Sequence, residues 1–117
     1  MKGQSFIKRL RFAWRGLVET FLHEASFCIQ VVAAFATVCL LLIIRPPIIW
    51  VALTSVMISL VLAAELINTA LEHTLDGLHP EQANFVRLAK DSAAAAVLVV
   101  SSCSVIIFLL MLYGVYA

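Results

Sequence analysis

The chain has 117 residues, of which 63% are hydrophobic and only 13% are charged, and its formal net charge is +1. Soluble globular domains carry about 25% charged residues, so this composition excludes an ordinary soluble domain and indicates a protein that lies in a lipid bilayer. A net charge so close to zero gives no reason to expect nucleic acid as a partner.

The first predicted element is an amphipathic helix over residues 5–22. At helical spacing its apolar side chains fall on one face and its charged side chains on the opposite face. The apolar face contains Phe6, Leu10, Trp14, Leu17 and Phe21, and the charged face contains Lys8, Arg11, Arg15 and Glu19. Such a helix lies flat on a membrane surface with its basic face towards anionic headgroups. The pattern leaves open whether it only anchors the chain or also contributes to an active site.

Three membrane-spanning helices are predicted after it, over residues 27–44, 48–76 and 91–114. About 20 apolar residues, at 1.5 Å per residue, cross roughly 30 Å of hydrocarbon. The two prolines after Arg45 stop the first span and predict a short external hairpin before the second. Residues 1–117 therefore form a single all-α membrane domain with one surface helix and three spans.

The distribution of basic residues predicts how the chain is oriented. Most of them precede the first span or lie between the second and third, and only Arg45 lies in the other loop. By the positive-inside tendency the amino terminus is cytoplasmic and the carboxyl terminus faces outward. The basic residues on the cytoplasmic side are Lys2, Lys8, Arg9, Arg11, Arg15, Arg87 and Lys90.

A polar stripe lies on the second predicted span. Glu65, Asn68, Glu72 and Asp76 project within about 80° of one another at 100° per residue. An acidic residue near the bilayer centre costs on the order of 2.5–3.5 kcal/mol on insertion scales, so the stripe cannot face lipid and indicates a functional site. Hydrogen bonding that only holds a helix bundle together is the alternative, although it seldom needs three acidic residues.

The stripe has two depths, because Glu65 and Glu72 are about 10 Å apart along the helix axis. We expect the deeper carboxylate to meet a membrane-held substrate and the shallower one to meet a metal ion with nucleotide phosphates. Glu24, Lys90 and Asp91 lie at the same cytoplasmic interface. Carboxylates suit Mg²⁺, a lysine neutralises phosphate charge, and the adjacent aspartate can orient that lysine or an ion.

These interfacial residues also have ordinary interpretations. Asp91 could cap the start of the third span while Lys90 extends to the headgroups, and Glu24 could be a simple interfacial charge. The dispersed histidines His23, His73 and His79 are expected to be solvated or hydrogen-bonded rather than metal ligands. The sequence contains no Gly-rich phosphate loop and no soluble-kinase signature, so a nucleotide site must be built differently.

The order of these residues resembles the signature of the prokaryotic diacylglycerol kinase family. The similar segments are residues 65–72, then Asp76, then Ala89, Lys90 and Asp91 before the alanine run 93–96. Similarity at residues 12–17 and 24–27 extends the resemblance over nearly the whole chain.

The resemblance implies a homotrimer of the bacterial cytoplasmic membrane with active sites shared between subunits. It implies transfer of the γ-phosphoryl group of ATP to a lipid hydroxyl, with Mg²⁺ as cofactor. By position, Glu65 would be the general base, and Glu24 and Glu72 the metal ligands. The nucleotide-binding set would be Asn68, Glu72, Lys90, Asp91 and Glu24, and the supporting residues would be Asp76, Lys8, Arg9, Ala13, Gly16 and Glu81.

Two departures from the family pattern fall where the adenine would be held. Ala83 and Phe85 stand where many relatives have a histidine and a leucine, and Ser5 stands where one branch has an arginine. Family members act on diacylglycerol or undecaprenol. We expect diacylglycerol, with undecaprenol as the alternative because residues 72–74 resemble that branch.

Two other classes compete with a lipid kinase. A small multimeric proton-coupled transporter would explain a buried glutamate such as Glu65, but it would not explain the acidic and basic residues gathered towards one membrane face. A non-catalytic scaffold would need no buried acids.

Overall fold

The computed structural model describes residues 3–81 and 83–117. Its four helices are α1 (Phe6–His23), α2 (Ala25–Ile44), α3 (Ile48–Leu78) and α4 (Asn84–Tyr116). The described residues contain no β-strand, and three helices, α2, α3 and α4, are long and apolar enough to cross a membrane. The prediction of a helical chain with three helices able to span a membrane is therefore confirmed for the described residues.

The amino-terminal part of the apolar face of α1 is turned away from the rest of the chain, whereas Leu17 lines the space between α1 and α3. Ser5 is the N-cap residue of this helix, and its hydroxyl accepts a hydrogen bond from the Lys8 amide at 3.3 Å. Phe6 and Trp14 are 71% and 68% exposed, so the described chain leaves this part of the face uncovered. A bilayer surface would cover it. The surface position of α1 and the orientation of the chain stay predictions, and Lys2 lies outside the described residues.

Single non-helical segments separate the first three helices. Glu24, with φ −115° and ψ 109°, is the only residue between α1 and α2. Arg45 ends α2 in the left-handed region, with φ 51°, and its amide donates to the Leu41 carbonyl at 2.9 Å. Pro46 and Pro47 follow and cannot continue the helix, so α3 begins at the next residue. This is the hairpin predicted at the two prolines.

The helices α3 and α4 are longer than a bilayer requires. With 31 and 33 residues, they extend about 46 and 50 Å, against roughly 30 Å of hydrocarbon. The α4 helix begins at Asn84, about two turns before residue 91, where the third span was expected to start, because Asn84, Arg87 and Lys90 interrupt the apolar run without ending the helix. Its N-cap residue is Ala83. Asp91 lies two turns inside the helix and does not cap it.

The central helix is α3, which packs along α4 and also contacts α1 and α2. At one end, a Cβ atom added to Gly114 would lie 3.2 Å from the Trp50 ring, so the two long helices approach closely there. Among the described residues the backbones of α2 and α4 do not approach each other. They leave between them a groove of about 460 Å³ whose floor is α3, which we call the α2–α4 groove.

Candidate active site

The polar face of α3 becomes more exposed towards its carboxyl-terminal end. Glu65 is buried, at 6% exposure, Asn68 and Glu72 are half-buried, and Asp76 is exposed. Because Val61 and Leu62 line the α2–α4 groove, that groove ends one helical turn before Glu65. The deep carboxylate therefore lies beside an apolar space between membrane-spanning helices.

Asn68 links the two levels of this face. Its side-chain amide donates to Glu72 Oε1 at 3.2 Å, as expected for residues four apart on a helix. The Asn68 Oδ1 atom is buried and has no hydrogen-bond partner among the described residues. A buried polar atom without a partner costs roughly 1–3 kcal/mol. This oxygen is therefore available to accept a hydrogen bond or to bind a cation.

Glu24 meets α3 from the junction of α1 and α2. Its Oε1 atom lies 2.9 Å from Nε2 of His73. Glu72 is the residue before that histidine, so the Glu24 carboxylate lies at the level of Glu72 along α3 but on the side to which His73 projects, about 100° around the helix axis. From the sequence, His73 was expected only to be solvated or hydrogen-bonded, and no local pattern indicated Glu24 as its partner.

Lys90 and Asp91 point in different directions, although they are adjacent in the sequence. Lys90 Nζ donates to Asp76 Oδ1 of α3 at 2.5 Å. Asp91 instead accepts a hydrogen bond from Arg87 of its own helix at 3.1 Å. Neighbouring helical residues project about 100° apart, so both cannot face α3. Of the two roles expected for Asp91, orienting Lys90 or orienting an ion, the first is not found within this chain, because Lys90 pairs with Asp76; the second stays a prediction.

A second groove, of about 670 Å³, lies between α1 and α3 and is called here the α1–α3 groove. Its α1 wall includes Ala13 and Gly16, and it reaches Glu24 and His73. The small side chains keep the space open where the surface helix passes α3. The two predicted supporting residues of α1, Ala13 and Gly16, thus line the same groove as Glu24.

The other predicted supporting residues lie apart from this cluster. Lys8 and Arg9 are exposed in the first turn of α1 and do not line the α1–α3 groove. Glu81 is exposed, and its Oε2 atom lies 3.4 Å from Nδ1 of His79. The His79 ring meets the Phe85 ring edge-on, with 4.9 Å between centroids. The structure therefore does not bring Lys8, Arg9 or Glu81 to Glu72 within one chain.

The described part of the chain contains no group of three or more His, Cys, Asp or Glu residues that could hold a metal ion alone. Mg²⁺ in nucleotide sites is usually bound by one or two carboxylates, with water and phosphate oxygens as its other ligands. Glu72 and Asn68 Oδ1 on one side of α3, and Glu24 beside His73, are oxygen donors of the kind that bind Mg²⁺ when nucleotide phosphates supply the other ligands.

Comparison with known proteins gave a family match and several relatives. The family model described as prokaryotic diacylglycerol kinase matches residues 11–112. An undecaprenol kinase of Bacillus subtilis is 35% identical over 106 residues, covering 91% of this chain and 86% of the relative. A diacylglycerol kinase of Escherichia coli K12 is 29% identical over 108 residues, covering 92% and 88%.

A diacylglycerol kinase of Synechocystis is also similar, with 32% identity over 98 residues. This alignment covers 83% of the chain but only 56% of that relative. The matched family region includes every residue of the acidic face of α3, as well as Glu24, Lys90 and Asp91.

Proposed function

The chain belongs to the prokaryotic diacylglycerol kinase family and is a lipid kinase of the bacterial membrane. We propose that it transfers the γ-phosphoryl group of MgATP to a lipid hydroxyl. The observation that carries the proposal is the placement of Glu65. This carboxylate is 6% exposed and lies one helical turn beyond the apolar α2–α4 groove. A proton-accepting group at that place suits a substrate whose apolar part stays in the bilayer.

In the proposed reaction the lipid oxygen forms a bond to the γ-phosphorus of ATP. The bond from that phosphorus to the oxygen bridging to the β-phosphate breaks, and ADP leaves. Glu65 takes the proton of the lipid hydroxyl as the general base. Phosphoryl transfer needs little covalent help from the protein, so positioning and charge compensation supply most of the catalysis.

The remaining polar residues would bind the nucleotide end of the site. Glu24 and Glu72 would hold Mg²⁺, which when bound offsets phosphate charge. Asn68 keeps Glu72 oriented through the 3.2 Å hydrogen bond and has a buried oxygen free. Lys90 is cationic and one-third exposed, so a phosphate group can reach it while Asp76 restrains it. The groups that hold adenine are not part of this proposal.

Diacylglycerol is the acceptor that we propose, in agreement with the family description and with the substrates named for two of the relatives. Undecaprenol is the second candidate. It is favoured by the undecaprenol kinase that is 35% identical to the chain and by the Glu72-His73-Thr74 sequence.

A labelling assay tests the reaction and its acceptor together. The purified chain in lipid is given ATP labelled in the γ-phosphate with Mg²⁺, and diacylglycerol and undecaprenol are offered separately. We expect label in the phosphorylated diacylglycerol. If only undecaprenol is labelled, the acceptor is undecaprenol and the proposal of diacylglycerol is wrong. If neither lipid is labelled while circular dichroism reports intact helices, the kinase proposal is wrong for both lipids.

We further propose that the enzyme is a homotrimer and that each active site takes residues from two subunits. Asp91 supports this arrangement, because its side chain is 64% exposed and contacts Arg87 rather than the acidic face of its own α3. A neighbouring α3 would bring a second acidic face towards Asp91.

Mixing two inactive variants tests the shared site. Glu65→Gln and Asp91→Asn chains are each expected to be inactive alone, because each lacks a group that every site needs. When the two variants are mixed in equal amounts and exchange subunits in detergent, each of the two groups is intact in about half of the sites. Both groups are then intact in about one quarter of the sites, so about one quarter of the parent activity should return. The Glu65→Gln chain carried through the same exchange alone is the control. No recovery in the mixture, with exchange verified by tagged chains, would place both groups in one subunit.

A further inference from the structure

The hydrogen bond between Glu24 and His73 is the longest-range side-chain hydrogen bond among the described residues. It joins residues 49 positions apart at 2.9 Å. It connects the single residue between α1 and α2 to the turn of α3 that carries Glu72. Its position next to two proposed metal ligands raises the question of what this histidine does.

The Glu24 side chain is available for this role because it does not cap a helix. Glu24 occupies the N-cap position of α2, where a side chain usually accepts from the free amides of the first turn. Its side chain makes no such bond. Only its backbone amide is used locally, donating to the Thr20 carbonyl at 2.8 Å. The imidazole of His73 is therefore the group that directs this carboxylate towards α3.

The contact contributes little to holding the fold together. The His73 side chain is 69% exposed and that of Glu24 is 33% exposed. Exposed pairs of this kind contribute little to stability, because water screens the charges and two mobile side chains must be held in place. The helices α1 and α2 also pack against each other and against α3 at other positions, so their arrangement does not depend on this hydrogen bond.

We propose that His73 is a positioning residue that fixes the orientation of the Glu24 carboxylate, so that this carboxylate can bind the metal ion of MgATP together with Glu72. The inference rests on the proposed function for the role of Glu24. An imidazole N–H that donates to one carboxylate oxygen leaves the other oxygen free as a ligand. Groups that hydrogen-bond to metal ligands typically change metal affinity or activity by 10–100-fold when they are removed.

Metal binding tests this role without depending on turnover. The full chain in phosphatidylcholine nanodiscs is titrated with Mn²⁺ in the presence of a non-hydrolysable ATP analogue, and free Mn²⁺ is measured by electron paramagnetic resonance. His73→Ala should weaken Mn²⁺ binding about tenfold. His73→Gln keeps a side-chain N–H donor and should stay within about threefold of the parent. In the kinase assay, His73→Ala should raise KM for MgATP more than it lowers kcat.

Thr74→Ala is the matched control. Thr74 is an exposed neighbour on α3 whose hydroxyl donates to the Ala70 carbonyl of its own helix at 2.7 Å, so Mn²⁺ binding should not change. Parent-like binding by His73→Ala, or a His73→Gln variant as weak as His73→Ala, would overturn the role of the hydrogen bond. If His73→Ala loses helix content, His73→Gln is compared with Thr74→Ala instead. Parent-like Mn²⁺ binding by Thr74→Ala together with weakened binding by His73→Gln would contradict the proposal.

The two proposals fail in different ways. Mn²⁺ binding is measured with no lipid acceptor present. A parent chain that binds Mn²⁺ but labels neither lipid refutes the kinase and leaves the comparison of His73 variants valid. An active parent whose Mn²⁺ affinity is unaffected by His73→Ala refutes the positioning role and leaves the kinase intact.

Discussion

Glu65→Gln is expected to abolish lipid phosphorylation, lowering kcat by about 10²–10⁴-fold, the range that a positioned general base contributes. Glutamine has nearly the same shape as glutamate but cannot take a proton from the lipid hydroxyl. Among the described residues Glu65 takes part in no ion pair, so removing its charge leaves no buried cation without a partner. Steady-state labelling gives kcat, and Mn²⁺ titration with the ATP analogue gives nucleotide binding.

Nucleotide binding separates this role from a general loss of structure. Glu65 lies seven residues from Glu72, about 10 Å along α3, so Glu65→Gln should bind MgATP like the parent. Glu65→Asp is the matched variant, because it keeps the carboxylate but withdraws it by one methylene group. It should retain more activity than Glu65→Gln. Equal turnover by Glu65→Gln and the parent would exclude Glu65 as the base.

Glu72→Gln is expected to have the second largest effect, and it should act on binding. Loss of a carboxylate ligand should weaken the binding of metal and nucleotide, raising KM for MgATP on the order of 10–100-fold. The glutamine oxygen can still accept the hydrogen bond that Asn68 now donates to Glu72 at 3.2 Å. The variant therefore removes the charge while keeping the local geometry. The measurement is KM for MgATP at several Mg²⁺ concentrations.

Excess Mg²⁺ distinguishes a metal ligand from other acidic roles. If Glu72 binds the ion, raising free Mg²⁺ should recover part of the lost activity by mass action. The same addition should not rescue Glu65→Gln, whose defect lies in proton transfer. A Glu72→Gln variant with unchanged KM and unchanged Mn²⁺ affinity would remove this residue from the metal site.

The contributions of Lys90 and Asp91 illustrate a limit of sequence analysis. Both residues were expected at the cytoplasmic entrance of the third span, and their adjacency suggested that they act on each other. In the structure α4 begins at Asn84 and carries both residues on regular helix, which turns them about 100° apart. Lys90 then meets Asp76 of α3, and Asp91 meets Arg87. Helix periodicity alone would have excluded the adjacent pairing if the earlier start of α4 had been recognised.

The pairing of Glu24 with His73 could not be predicted from the sequence. No local rule relates residues 49 positions apart. The contact depends on how the chain turns at Glu24 and on where that turn meets α3. The only sequence signal was the position of the histidine directly after Glu72, which identifies a region but not a partner.

The sequence by itself determined the three spans, the polar face of α3 and the family to which the chain belongs. These features depend on apolar run length and on the 3.6-residue helical period, which are properties of single segments. Only the tertiary structure decided that Asp76 holds Lys90, that His73 holds Glu24, and that Glu65 lies beside the α2–α4 groove. Those contacts arise between segments, where packing of whole helices sets the distances and residue spacing does not.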